Sequence, residues 1–385
     1  MSTPDFGRTR PLAPSIHPSA VYCVPDLDVL DAIYAGEEPG FIYARDGHPN
    51  ARSLAMELAK AEAASWGIVT ATGMGAISGP LLALVSQGER IVASNSLYGK
   101  TTKLLAQEMS RFGVISQFVD TNDLNAVRAA LETPARILLV ETVSNPLCRI
   151  ADLPALAELA HSRNCLLFVD NTFASPYLCR PLEMGADLVM ESLTKMIGGH
   201  SDVTLGFVGG SDAAHSAPIG AGISTWGLAA NPFDCWLAER GLATLDLRMP
   251  AATANAIAIA DWLAVQPGVV RVVYPGRRDH PDHELMQRIL PSGSGNMLCF
   301  ELSGGRDAVN RFLRQAPEIP FCPSLGHHRT TCSHPDTTSH RYELHDEKLK
   351  LGITSGLIRL SVGCEPLIEI QREMAKGLAL APSVQ

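Results

Sequence analysis

Lys195 follows the apolar run Asp187 to Met190 and precedes Met196-Ile197-Gly198-Gly199-His200. This pattern predicts a turn at a strand end, where a lysine partly withdrawn from water has a lowered pKa and attacks carbonyl carbons. Ser192 and Thr194 stand just before it, two hydroxyls able to hold phosphate oxygens beside the amine. Far upstream, Thr72-Gly73-Met74-Gly75 leads into the helix-like stretch Ala76 to Ser86. A glycine turn at a helix start offers free N–H groups and the positive end of the helix dipole to an anion. Asp170 ends the run Cys165 to Val169, where a carboxylate could pair with the protonated ring nitrogen of a pyridoxal cofactor. Taken singly, each has a plainer reading. Lysines are mostly exposed, glycine loops often enter helices, and an aspartate after a strand is as readily a helix N-cap.

The elements that must position these residues are short and apolar. Ile91-Val92-Ala93, Val114 to Val119, Arg136 to Val140, Cys165 to Val169 and Asp187 to Met190 read as strands. Ser53 to Ala64, Gly99 to Phe112 and Leu153 to Arg163 read as helices between them. Strands without polar alternation, interleaved with helices, predict a mostly parallel sheet covered on both faces. Such sheets bind ligands at the carboxyl ends of their strands, which here carry Glu141, Asp170-Asn171-Thr172 and Glu191-Ser192-Leu193-Thr194-Lys195. From about Leu242 the pattern changes to a long alanine-rich helix, Met249 to Val265, strands at Val269 to Val273, Asn296 to Leu302 and Leu357 to Val362, and a helix from Asp307 to Arg314. That is the pattern of a smaller α+β domain. The Gly/Ser/Ala-rich Gly209 to Ala230 is expected to be irregular. The first forty-odd residues show little periodicity and end in Phe41-Ile42-Tyr43-Ala44-Arg45, as an arm that packs on something else would.

A chain of 385 residues with 46% hydrophobic and 18% charged types can bury a large core, which excludes general disorder. Its 31 basic and 40 acidic residues leave a net charge of −9, which argues against nucleic acid or an anionic membrane surface as partner. Two uncharged windows, Ser65 to Gly88 and Ala213 to Phe233, are broken by glycine and proline and do not read as membrane spans. No secretory signal is expected at the polar N-terminus, and nine cysteines without a CxxC pair point to reduced thiols. The expected location is cytoplasmic.

Several ordered motifs resemble the pyridoxal-phosphate enzymes of cysteine and methionine metabolism: the cystathionine synthases and lyases with methionine γ-lyase. They are Val169 to Tyr177, Pro181 to Asp187, Ser192-Leu193-Thr194-Lys195, Gly198 to Val203, Glu141-Thr142 with Ser144-Asn145-Pro146, Arg240-Gly241-Leu242, Ser324-Leu325-Gly326, and Ile358 to Gly363. The resemblance runs from Tyr43 to Glu365 and implies the fold type I architecture of aspartate aminotransferase. The implied division is an arm over 1–45 that contacts a neighbouring subunit, a cofactor-binding large domain over 46–242, and a small domain over 243–385. It also implies a homotetramer built from catalytic dimers. Lys195 matches the lysine that carries the cofactor, pyridoxal 5'-phosphate, and Asp170 the partner of the ring nitrogen, with Thr172 beside it. Gly73, Met74, Ser192 and Thr194 match phosphate binders, and Tyr43 and Arg45 resemble residues that reach the phosphate of the neighbouring subunit. Tyr98 resembles the ring that stacks on the cofactor and serves as acid or base at the leaving group. Arg359, with Asn145 and Ser324, matches the clamp on the substrate α-carboxylate. No metal is implied.

The reaction so implied is γ-elimination from a sulfur-containing or related amino acid, releasing a 2-oxo acid and ammonia. Lys195 would move protons from Cα and Cβ while Tyr98 helps the Cγ leaving group depart. The alternatives are γ-replacement by a thiol and β-elimination. The chain also departs from the family. Ile42 and Arg329 occupy places where cystathionine enzymes often carry glutamates, which disfavours a substrate with a distal ammonium. Lys100 replaces the usual glycine, and either steers a polar side chain or points to solvent. Thr72 replaces a serine and keeps the hydroxyl. Cys322 to His345 holds His327, His328, Cys332, His334, His340 and His345 without zinc-site spacing, and is expected to be a loop at the substrate entrance.

Overall fold

The computed structural model describes residues 8–341 and 344–378. The start of the expected arm (1–7), Tyr342 and Glu343 of the His/Cys-rich stretch, and the end of the expected small domain (379–385) lie outside the described residues.

A seven-stranded sheet is built from β1 (Trp66–Thr70), β2 (Arg90–Ser94), β3 (Ile115–Val119), β4 (Ile137–Glu141), β5 (Leu166–Asp170), β6 (Leu188–Ser192) and β7 (Gly206–Gly210). Its order is β1-β7-β6-β5-β4-β2-β3. From β6 to β3 every pairing is parallel, while β7 runs antiparallel to both neighbours. The apolar runs are continuous because both faces are covered. Ile137 and Leu139 face one apolar cluster while Leu138 and Val140 face the other, all four fully buried. Helix α1 (Leu27–Ala35) lies in the arm, α2 (Pro49–Ala61) covers one face and α3 (Gly73–Leu84) the other. Among the described residues no helix is long and apolar enough to cross a membrane.

A second, antiparallel sheet has the order β10 (Thr331–Ser333), β11 (Leu357–Ser361), β9 (Met297–Leu302), β8 (Val269–Val273). The long helix Leu245–Leu263 packs on it through Ala256, Ile259, Ala260 and Leu263. That helix starts four residues before the expected Met249.

Three sequence expectations change. The stretch Gly209 to Ala230 is not irregular: it finishes β7 and then forms a helix over Ser216–Thr225. Its glycines serve close packing, since a Cβ at Gly222 would lie 3.3 Å from Ala83 of α3 and one at Gly210 would lie 2.8 Å from the Trp66 ring. Composition alone mimicked a loop. The weakly periodic N-terminal stretch contains α1, capped by the Asp26 side chain and by Gly36 in the left-handed region. No residue of α1 is buried, and Leu27 and Tyr34 are 75% and 70% exposed. The expected helix over Gly99 to Phe112 is one coiled stretch of three kinds: α over Gly99–Lys103, π over Leu104–Glu108 and 3-10 over Met109–Phe112.

Candidate active site

Parallel pairing brings the carboxyl ends of three strands side by side, with Glu141 opposite Asp170 and Asp170 opposite Met190 in the register. The turn after β1 starts α3 at the same edge, because Thr70 and Ser192 both pair with Gly206 of β7. A cavity of about 320 Å³ opens there. Its walls include Gly73, Met74 and Tyr98, then Asn145, Asp170 and Thr172, then Ser192, Thr194 and Lys195, and finally Ser324 and Arg359. Eleven of the thirteen sequence candidates therefore share one hollow.

Tyr43 and Arg45 do not join them. They line a larger cavity of about 820 Å³ between the arm and the outer face of the sheet. The Arg45 guanidinium lies 4.9 Å from the centre of the Tyr43 ring, and both residues are exposed. The chemistry-bearing groups sit in the smaller cavity.

At the α3 start, Thr72 caps the helix. Its hydroxyl accepts from Gly75 N at 2.9 Å and its carbonyl accepts from Ala76 N at 3.1 Å. The N–H groups of Gly73 and Met74 remain for an outside acceptor. Ser192 closes on this turn so tightly that a Cβ at Gly73 would fall 2.8 Å from the Ser192 Cβ and Oγ. Thr172 Oγ1 accepts from Ser192 N at 2.9 Å, and Thr172 N donates to Asp170 Oδ1 at 3.0 Å, so one threonine ties the ends of β5 and β6 together. Asp170 is thus no helix N-cap. Burial pushes its carboxyl above the usual range, against the hydrogen bonds from Thr172. Two free N–H groups, hydroxyls beside them and an acid across the hollow fit a phosphorylated pyridine with a protonated ring nitrogen.

Lys195 stands in the turn after β6, its N–H bonded to the Ser192 carbonyl at 3.0 Å. Its Nζ donates to Ser324 Oγ at 3.0 Å. Burial, then the positive Arg359, lowers its pKa and favours the free amine. Gly326 presses on this turn with φ +80°, and a Cβ there would lie 2.5 Å from the Lys195 carbonyl carbon. Only glycine suits both that angle and that approach.

Arg359, on β11, is 4% exposed. Its Nη1 donates to Asn145 Oδ1 at 2.7 Å and its Nη2 to the Ser324 carbonyl at 3.0 Å. Among the described residues it forms no ion pair with a carboxylate. Ser324 therefore serves both cations of the site, through its hydroxyl and through its carbonyl.

Several wall residues were given no role by the sequence. Glu141 is the foremost. Its carboxylate accepts from Tyr98 N at 2.6 Å and from Asn145 N at 3.2 Å, which places the aromatic ring and the arginine partner together. Burial, with Asp170 nearby, holds it well above the usual range. Its place directly after a buried strand was the available signal. Phe173, whose ring lies 5.8 Å from the Arg359 guanidinium, and Thr338 and Ser339 complete the wall. The last two belong to the His/Cys-rich stretch, as do Pro323 to Leu325, so that stretch does border the cavity. It also contributes β10. Among the described residues no group of three or more His, Cys, Asp or Glu could hold a metal ion. Lys100 and Arg329 lie outside the wall: Lys100 is exposed on its helix, and the Arg329 side chain, 56% exposed, approaches Glu318 at 3.9 Å.

A family model described as Cys/Met metabolism PLP-dependent enzyme matches residues 2–379. The O-succinylhomoserine sulfhydrylase of Pseudomonas aeruginosa is 40% identical over 348 residues, covering 90% of this chain and 86% of that protein. The L-methionine gamma-lyase of Pseudomonas putida is 36% identical over 368 residues, covering 95% and 92%. The crystal structure of cystathionine gamma synthase from Xanthomonas oryzae pv. oryzae in complex with cystathionine superposes with a TM-score of 0.90 at 35% identity, covering 96% of this chain and 93% of that one. The mixed sheet with helices on both faces is the fold type I architecture.

Proposed function

Because this chain belongs to the Cys/Met metabolism family of pyridoxal-phosphate (PLP)-dependent enzymes, we propose that it cleaves a sulfur-containing or related amino acid by γ-elimination, releasing a 2-oxo acid and ammonia. The observation that carries this reading is the buried Arg359 fork, which has no anionic partner among the described residues and shares a cavity and residue Ser324 with Lys195. A guanidinium so placed awaits a carboxylate.

When bound, PLP supplies an electron sink that acidifies the proton on the substrate Cα. The chain's residues do the rest. Gly73 and Met74 N–H groups and the hydroxyls of Ser192 and Thr194 hold the phosphate. Asp170, steadied by Thr172, holds the proton at the ring nitrogen, and Tyr98 stacks on the ring. Arg359, Asn145 and Ser324 fix the α-carboxylate. The Lys195 amine, whose pKa burial lowers, takes the Cα proton and shuttles a second from Cβ, while the Tyr98 hydroxyl protonates the leaving group at Cγ. Tyr43 and Arg45 serve the phosphate site of a neighbouring copy. Their exposure on the arm, and the unburied apolar residues of α1, support contact with another copy. The proposed organisation is a homotetramer of catalytic dimers, with 1–45 as arm, 46–242 as large domain and 243–385 as small domain. The cytoplasm is the proposed location, which agrees with nine free cysteines.

The cavity wall also includes Val143, Phe173, Pro323, Thr338 and Ser339, none of them charged. An uncharged thioether or ester side chain fits better than the distal ammonium and carboxylate of cystathionine, since Ile42 and Arg329 supply no acid there. The similarity to an O-succinylhomoserine sulfhydrylase favours a second reading, γ-replacement by a thiol on an activated homoserine ester. Incubation with methionine, homocysteine, cystathionine and O-acyl-homoserines, with and without thiol, separates the two. 2-Oxobutanoate without thiol supports elimination. A thioether product that needs thiol, with no 2-oxo acid, overturns it, and pyruvate from cystathionine would mean a β-lyase.

The phosphate cradle has its own check. In Gly73→Ala the new Cβ meets Ser192 at 2.8 Å and must push the turn from the strand end. Loss of one charge-assisted hydrogen bond, about 1.5–3 kcal/mol, weakens cofactor binding roughly 10- to 150-fold. Fluorescence titration with pyridoxal 5'-phosphate reads this, with the unfolding midpoint of the cofactor-free protein as control. Unchanged affinity would remove Gly73 from the phosphate site.

A further inference from the structure

Behind the ring-nitrogen end of the cavity, two glutamates meet in the core. Glu62, the C-cap of α2, is 0% exposed, and Glu191 of β6 is 1% exposed. Met190 and Ser192 line the cavity, so the strand's alternation turns Glu191 to the opposite face. The two carboxyl groups are near enough to act on each other's charge, and Glu62 Oε2 and Glu191 Oε1 have no hydrogen-bond partner among the described residues. Ionised carboxylates only accept hydrogen bonds, so satisfying these two buried oxygens through each other requires a proton between them.

Asn171, the residue after Asp170, connects the pair to the site. Its amide donates to Glu62 Oε1 at 3.1 Å and to the Cys179 carbonyl at 2.9 Å, and its Oδ1 accepts from Thr142 Oγ1 at 2.8 Å. The surrounding charges are few. Arg180 pulls Glu62 down and Glu183 pushes it up, while Asp170 pushes Glu191 up. The neighbouring Cys179 thiol is raised by burial and by these acids. Burial dominates for both glutamates, taking Glu62 to about 7 and Glu191 well above its ordinary value.

We propose that Glu62 and Glu191 hold a single proton between them and act as positioning residues, fixing the Asp170 turn through Asn171 and placing one negative charge behind the Asp170 carboxylate. That charge strengthens the hold of Asp170 on the proton at the ring nitrogen, so the inference rests on the role given to Asp170 above. An acid pair lacking a proton would put two charges there and drive the β6 and α2 ends apart. A pair with two protons would leave Asp170 unsupported.

Glu191→Gln tests the shared proton, because the amide N–H takes its place and the net charge is kept. In the cofactor-free wild type the folded state binds a proton that the unfolded chain, with glutamate near 4.5, releases. A folded value raised to about 7 gives stability that is present below 4.5 and lost as pH rises through about 7. The thermal midpoint of the wild type should therefore fall over that window, and the fall should flatten in E191Q. An infrared difference spectrum near neutral pH should show a protonated carboxylic acid band that E191Q lacks. An equal fall in both proteins, or no band, overturns the shared proton. The positioning role is read from the pH midpoint of the violet absorbance of the loaded protein. E191Q should keep the wild-type midpoint, whereas E62Q/E191Q, which removes the charge, should lower it by on the order of one unit. An unchanged midpoint overturns the role. Should the double variant not fold, Asn171→Ala, which cuts the link and leaves both acids, is read in the same way. The first two readouts need no cofactor, so they stand apart from any failure of the cofactor site.

Discussion

Lys195→Ala is expected to abolish the violet absorbance of the cofactor-loaded protein and to lower turnover by on the order of 10⁴-fold, the upper range for a lost general base. The amine is asked both to carry the cofactor and to move two protons, so no neighbouring group substitutes for it. Tyr98 is half exposed and its phenol is raised by burial, and Ser324 offers only a hydroxyl. The fold should survive. Removing a partly buried amine relieves its desolvation, and the Ser324 hydroxyl can turn to another acceptor. The sign of the pH effect supplies a control. The folded pKa of Lys195 lies below 10.5, so the unfolded chain binds the extra proton and the cofactor-free wild type gains stability as pH rises through the window just under that value. K195A should lack that gain. Full turnover in K195A, or an intact absorbance band, would remove Lys195 from the chemistry.

Arg359→Met should pull function and stability in opposite directions. Truncating one partner of a buried, hydrogen-bonded charge pair costs about 2–5 kcal/mol, so kcat/KM should fall roughly 30- to 5000-fold. The loss is expected mainly in KM if the clamp acts equally before and during reaction. In the substrate-free protein the same guanidinium is buried against neutral oxygens only, which is itself a strain on the fold. Methionine of similar length removes the charge, and the unfolding midpoint should stay level or rise, by about 1 kcal/mol in free energy. Arg359→Lys keeps the charge and loses the fork, and should recover only part of the affinity. A KM for substrate that is unchanged in both variants would place the α-carboxylate elsewhere.

Much of the frame was legible in the residue order, for a stated reason. Strands buried on both faces read as unbroken apolar runs, so β2, β4, β5 and β6 lay within two residues of their expected places, and the polar groups at their ends were the natural suspects. Lys195 and Asp170 stood out there, each with a plainer reading when taken singly, and the ordered motifs around them carried the family. Elements whose composition serves packing were hidden. β7 and the helix over Ser216–Thr225 are glycine-rich because their backbones approach Trp66 and α3 closely, a demand invisible without the neighbour. The short β1 was missed for the same reason, being partnered by those glycines.

Charge and direction were harder still. Lys100 and Arg329 stood out as unusual residues, yet whether either faced the substrate depended on which way a helix and a loop were turned, and both turn outward. Glu141 and Glu191 were visible as strand ends, but their raised pKa values come from what the crossing order of seven strands and the docking of α2 bring within reach. Local pattern encodes where an element begins, how its side chains alternate and which reactive groups stand at its tip. Which distant groups share a dry space is set by the folded chain, because burial and contact are properties of the assembled core, and it is burial that lowers the pKa of Lys195 and that core which sets Arg359 against the neutral oxygens of Asn145 and Ser324.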